Sequence, residues 1–159
     1  PPEGDILHVL NSFDEPRRRH AWSVIERHEE EAIAMMRLQE GVRETLLELR
    51  ARNLMLGLLT RNSPKSVNAF LDKIGFEFDC VITRDFPHLK PKPEPVFHML
   101  ELWNTPPEET LVVGDYIHDI ECGKAAGTKT CFFANPGRTS YAGLADYSVS
   151  SLSELLELL

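Results

Sequence analysis

From residue 54 onward, short uninterrupted apolar runs alternate with stretches whose apolar residues recur every three or four positions. That switching of period marks strands alternating with helices. Leu54-Met55-Leu56-Gly57-Leu58-Leu59 is continuously apolar, the pattern of a parallel strand buried on both faces, and it ends at Thr60-Arg61-Asn62. Val67, Phe70, Leu71 and Ile74 give a helical face closed by Gly75, and Cys80-Val81-Ile82-Thr83 reads as a short strand. Val96, Met99, Leu100 and Trp103 mark the next helix, and Thr110 to Val113 the next strand. A helix following Asp119 and ending at Gly127, a strand from Thr128 to Phe133 and an edge strand at Tyr147 to Val149 complete the alternation. Leu152, Leu155, Leu156 and Leu159 close the chain with a helical stripe. Strands separated by helices of about ten residues predict an α/β fold with a doubly wound parallel sheet.

The preceding residues read as helical throughout. Ile6, Leu7, Val9, Leu10 and Phe13 form one short segment, and Trp22, Ile25, Ala32, Ile33 and Met36 a longer one. Asp14 and Pro16 supply the start of the second, and Gly41 breaks the pattern. Val42, Leu46 and Leu49 then stripe a helix ending near Asn53. Two regions are therefore expected: a helical segment at 1–40 and the α/β core at 41–159.

Composition narrows the function classes. With 159 residues, 42% apolar and 26% charged, the chain has room for one sizeable core and no second full domain. No apolar run approaches the roughly 20 residues that cross a bilayer, and the first residues lack the basic and apolar regions of a secretory signal. The net charge of −8 argues against nucleic acid as a partner. The one basic cluster, Arg17-Arg18-Arg19, adjoins the acidic stretch from Glu26 to Glu31 and reads as a solvated helix. Cys80, Cys122 and Cys131 are odd in number and lack Cys-x-x-Cys spacing, which suggests neither a disulfide framework nor a zinc site. A reducing, cytoplasmic location fits best.

Candidate chemistry lies at the strand ends. Leu111-Val112-Val113-Gly114-Asp115-Tyr116-Ile117-His118-Asp119 runs an apolar strand into a glycine and then delivers two carboxylates four residues apart. Oxygen ligands grouped at a strand's carboxyl end suit Mg²⁺. In a doubly wound sheet the carboxyl ends of all strands share one rim, so residues far apart in sequence converge there. Thr60-Arg61-Asn62 offers phosphate-binding groups, and Lys90 follows the second strand in Leu89-Lys90-Pro91-Lys92-Pro93-Glu94-Pro95. A hydroxyl, an ammonium and a carboxylate-held cation enclose a transferring phosphoryl group suitably. Each residue also has a plain structural reading: Thr60, Asp115 and Asp119 as helix caps, Lys90 as a solvated lysine.

These motifs resemble the haloacid dehalogenase-like hydrolases, most of which are Mg²⁺-dependent phosphatases with a Rossmann-like core. The resemblance rests on an apolar strand ending in Thr60, on Lys90-Pro91-x-Pro93-Glu94, and on Val112-Val113-Gly114-Asp115-x-x-x-Asp119, with 30 and 25 residues between the key positions. It covers residues 41 to 159. It implies that Thr60 binds the transferred phosphoryl, Lys90 neutralises nucleophile and phosphate, and Asp115 ligates Mg²⁺ with Asp119 supporting the metal shell. It also implies that residues 1–40 are part of a helical cap and that the substrate is a small phosphorylated metabolite. A receiver domain is the signalling alternative, but there the acidic residues come first in the chain. A dehalogenase is the alternative within the superfamily, and the acidic pair after Gly114 favours metal and phosphate over halide.

One departure matters. In the family, the nucleophile and general acid form an Asp-x-Asp pair after an apolar first strand that lies between the strands ending here at Thr60 and Asp115. No such segment occurs: Asp5 precedes Ile6-Leu7-His8, and Asp14 sits at a helix start. The expectation is a fragment of a longer phosphatase with its nucleophile outside these residues, inactive alone and open to self-association through its unpaired sheet. The alternative is a natural, catalytically silent binding module.

Overall fold

A computed structural model describes residues 9–10, 12–135 and 141–159. The expectations for Asp5, Ile6 and Leu7 lie outside the described residues. The chain divides into two compact units, residues 1–37 and 38–159.

The first unit holds helix α1, Glu15–Met35. Asp14 caps it, its carboxylate accepting the Arg17 N–H at 3.1 Å, and Pro16 occupies the first turn, where a missing N–H costs nothing. None of its residues is buried. Arg18 pairs with Glu15 and His28 with Glu31, so the basic cluster is a solvated, charge-laced face.

The second unit alternates helix and strand: α2 Val42–Ala51, β1 Gly57–Leu59, α3 Pro64–Ile74, β2 Cys80–Ile82, α4 Glu94–Trp103, β3 Leu111–Gly114, α5 Ile117–Ala125, β4 Lys129–Phe133, β5 Tyr147–Val149 and α6 Leu152–Leu158. All strand pairs are parallel; helices α3 and α5 make the crossovers of β1–β2 and β3–β4, while the described residues between β4 and β5 hold only a 3-10 turn, Ala142–Leu144. They form two sheets, β1-β2 and β3-β4-β5. Among the described residues no strand joins β1 to β3, the position of the first strand in the family that the motifs resemble.

That break corrects two expectations. The strand read over Leu54–Leu59 is only Gly57–Leu59, because the Leu56 N–H is taken by the Asp79 carboxylate at 2.7 Å and not by a ladder. It is also not buried on both faces: Leu54 and Met55 are exposed and Leu58 and Leu59 half-buried, since among the described residues β1 has a strand partner on one side only. The sheets are joined instead through helices. Val96 and Leu100 of α4 cluster with Cys122 of α5 and Ala126, and both Leu59 of β1 and Val112 of β3 pack against that cluster. A second cluster, Cys131, Phe133, Val149 and Leu155, seats α6 on β4 and β5.

Candidate active site

β1 delivers the first group. The Thr60 N–H extends the ladder to the Ile82 carbonyl at 2.9 Å, and its hydroxyl accepts the Asn62 N–H at 3.1 Å. Thr60 is not the cap of the following helix. Ser63 is: its hydroxyl accepts the Ser66 N–H, and it is almost fully buried. The capping duty therefore falls three residues beyond Thr60 and leaves Thr60 at the strand end. Thr60 and Arg61 are half-buried and Asn62 exposed, and the Asn62 carbonyl accepts the Arg84 N–H at 3.0 Å, tying the ends of β1 and β2 together.

Lys90 sits in a proline-rich turn with a cis Lys90–Pro91 bond. It is no solvated lysine. Its ammonium donates to the Leu59 carbonyl at 3.1 Å and to Asp119 Oδ1 at 2.5 Å, with 14% of the lysine side chain and 11% of the aspartate side chain exposed. A pair so largely removed from water depends on both partners: deleting one leaves the other as a buried, uncompensated charge, at a cost of about 3–5 kcal/mol.

Asp119 takes up the helix-capping role and, beside it, holds Lys90. The helix begins at Ile117, two residues before Asp119 and not after it. Asp119 Oδ2 accepts the Tyr116 N–H at 3.1 Å, while the Asp119 N–H returns to the Tyr116 carbonyl at 3.1 Å. One carboxylate oxygen thus caps the helix and the other holds the lysine. Gly114 makes room for this, because a Cβ there would lie 2.2 Å from the Asp119 Cβ and 2.4 Å from Oδ2. Behind the pair the Cys122 thiol donates to the Lys92 carbonyl at 3.0 Å, and burial pushes its pKa up to about 11.

Asp115, half-buried, follows β3 directly, and its Oδ2 accepts a hydrogen bond from the Asn135 side-chain amide at 2.8 Å. The described residues hold no group of three or more His, Cys, Asp or Glu side chains arranged for a metal ion. Mg²⁺ does not require one, since it commonly takes one or two carboxylates and keeps several waters. The hard-oxygen character of Asp115, with Asp119 four residues on, fits that ion and offers nothing that selects Zn²⁺.

The candidate residues therefore come together in part. Lys90 joins Asp119 to the Leu59–Thr60 junction, and Asp115 lies one residue beyond Gly114, against which Asp119 is folded. Arg61 and Asn62 follow Thr60 on the loop into α3. Two features escaped the motif reading. Asn135, two residues past β4, donates a hydrogen bond to Asp115; a polar residue just beyond the strand next to β3 was the signal. Tyr116 stacks edge-on with His118 and Tyr141, and Tyr141 with the core residue Phe132. Tyr141 and Phe132 stand too far from Tyr116 in sequence for the cluster to announce itself.

The profile of the haloacid dehalogenase-like hydrolases matches residues 6–133. The chain belongs to that family. Its relatives include a haloacid dehalogenase-like hydrolase domain-containing protein of Arabidopsis thaliana, 34% identical across 99% of this chain and 68% of that protein. They also include the pyrophosphatase PpaX of Bacillus mycoides, 40% identical over 76% of this chain and 59% of that one. Among solved structures, a predicted phosphoglycolate phosphatase from Haemophilus somnus superposes with a TM-score of 0.81, covering 92% of this chain and 68% of that one at 22% identity. This haloacid dehalogenase-like chain thus spans between 59% and 68% of the length of these three proteins. Membership disposes of the receiver reading and makes the chain a hydrolase-family protein with phosphatase relatives. No helix among its described residues is long and apolar enough to cross a membrane.

Proposed function

We propose that this chain supplies the phosphate- and Mg²⁺-binding part of a phosphomonoester hydrolase acting on a small phosphorylated metabolite. One observation carries the proposal. The Lys90 ammonium bridges the Leu59 carbonyl and Asp119 Oδ1, which supports a single site built from the ends of β1 and β3 and the loop after β2. Phosphoryl transfer asks chiefly for positioning and charge neutralisation, and these residues suit that task. Thr60, with Arg61 and Asn62, binds phosphoryl oxygens. Lys90 balances negative charge between nucleophile and phosphate, Asp115 ligates the cation, and Asp119 holds Lys90 in place. Mg²⁺, when bound, draws charge off the phosphoryl oxygens.

The phosphoryl acceptor is a further aspartate outside residues 1–159. Its carboxylate oxygen attacks phosphorus, the ester P–O bond breaks, and the leaving oxygen takes a proton from a general acid. Water then cleaves the aspartyl-phosphate to free phosphate and the carboxylate. Asp119 is unsuited to the acceptor role because Lys90 and the Tyr116 N–H engage both of its oxygens. Residues 1–40 serve as part of a helical cap, and the three free thiols support a reducing, cytoplasmic setting.

The test compares residues 1–159 with a version carrying an additional N-terminal strand that ends in Asp-x-Asp, using para-nitrophenyl phosphate and a panel of sugar phosphates. The 159-residue chain is expected to be inert. The extended one should release phosphate only with Mg²⁺, and Lys90→Ala in it should lower kcat by on the order of 10²-fold or more. Robust turnover by the short chain contradicts the assignment of the acceptor. An inert extended chain with intact Mg²⁺ binding favours a silent phosphate-binding module.

A further inference from the structure

We infer that Asn135 is a positioning residue: it orients the Asp115 carboxylate and thereby sets the affinity of this rim for a divalent cation. The inference rests on the reading of Asp115 as a cation ligand and assigns a role to a residue outside every motif considered above.

The geometry begins with the sheet. β3 and β4 are parallel neighbours with Val113 opposite Cys131 and Gly114 opposite Phe132. Asp115 is the first residue past β3 and Asn135 the second past β4, so both emerge on the same rim. The backbone leading into Asn135 is held, its own N–H donating to the Phe133 carbonyl at 3.1 Å. The Ala134 N–H donates to the Val149 carbonyl of β5 at 2.8 Å. The side chain therefore springs from a fixed base. Its amide then reaches across to Asp115 Oδ2 at 2.8 Å. An ionised carboxylate only accepts hydrogen bonds, so the NH₂ end of the amide must face it.

The physical effect follows from the softness of the torsion that is being held. The terminal torsion of an aspartate is broad, whereas Mg²⁺ demands near-octahedral placement of its ligand oxygens. A hydrogen bond on Oδ2 fixes the plane of the carboxylate and hence the direction of Oδ1. An amide does this without itself bringing a positive charge to the site. Lys90 differs on this point, because it sets an ammonium against Asp119. Lys90 and Asn135 are thus chemically different donors, one charged and set on Asp119, the other neutral and set on Asp115. Outer partners that orient a ligand in this way typically contribute 10–100-fold in metal affinity.

The test is a calorimetric titration of Mg²⁺ into the 159-residue chain and into Asp115→Asn, Asn135→Leu, Asn135→Ala and Asn135→Gln, with circular dichroism melts alongside. Asn135→Leu keeps the bulk and removes the donor, and it should bind Mg²⁺ 10–100-fold more weakly with an unchanged melt. Asn135→Gln keeps a donor and should recover most of the loss, which a merely structural role for Asn135 does not predict. If Asn135→Leu fails to fold, Asn135→Ala is read in its place. A wild-type chain that binds no Mg²⁺, or Asp115→Asn binding as tightly as wild type, overturns the cation reading itself. Weak binding by Asp115→Asn with wild-type binding by Asn135→Leu and Asn135→Ala overturns the role of Asn135 alone.

Discussion

Gly114 has no unusual backbone angle to explain it, yet it is the residue on which the geometry around Asp119 depends. The Asp119 side chain lies in the space a Cβ would need, and its Cβ and Cγ cannot swing away without releasing Lys90. Gly114→Ala is therefore expected to destabilise the chain by roughly 1–3 kcal/mol, as overpacking does, and to weaken anion binding at the rim. Gly143→Ala, where a Cβ meets nothing within 4 Å, should stay within about 0.5 kcal/mol of wild type. Chemical denaturation of the two variants checks both. The sequence made this part of the site readable because Gly114, Asp115 and Asp119 sit within one strand-to-helix turn. It did not reveal that Ser63 takes the cap and spares Thr60, since Thr60 and Ser63 are both good capping residues and only the backbone path decides between them. Asn135 was illegible for another reason: its partner lies 20 residues away, joined to it by strand adjacency alone.

At the scale of elements, the junction of α2, β1 and β2 rests on a single carboxylate. Asp79 accepts from the Arg50 guanidinium of α2 at 2.7 and 2.8 Å and from the Leu56 N–H ahead of β1 at 2.7 Å, and Arg50 also donates to the Glu77 carbonyl. Partial burial works to raise its pKa, but the Leu56 N–H and the Arg50 guanidinium outweigh that and hold it below the ordinary 3.8. A carboxylate with a lowered folded-state pKa stabilises the fold above its unfolded value and loses that contribution as pH falls through the folded value. Asp79→Ala should cost roughly 1–3 kcal/mol near neutrality, and the gap from wild type should close below about pH 3.8, as urea melts at pH 3 and pH 7 will read. The helices were legible because their apolar stripes and end residues agree: Ser63 and Gly75 bracket α3, and the periodicity fixes the rest. The strand before Gly57 was not. An apolar run shows that residues avoid water but not which backbone groups find ladder partners, and the Asp79 carboxylate had already taken the Leu56 N–H.

Among the described residues of 38–159, no backbone ladder joins the two sheets, and side chains of α4 and α5 with the Lys90 bridge do that work. β4 lies between two strands, whereas β1 and β3 each have one strand partner among the described residues. Unpaired strand edges exchange their amide hydrogens readily and invite pairing with another chain. Hydrogen exchange followed by mass spectrometry should find β4 amides the best protected and the outer-edge amides of β1 and β3 far less so. Their protection should rise with protein concentration if copies pair through those edges. Equal protection of β1 and β4 in a monomer would mean that a further ladder covers β1. The position of Lys90 has a thermodynamic corollary. An anion that grips the ends of both sheets binds only while they are held together, so its binding energy is added to the cohesion of the fold by linkage. At 100 times its dissociation constant such a ligand contributes about 2.7 kcal/mol. Inorganic phosphate would then act as a removable staple across the break, coupling the folding of one sheet to that of the other.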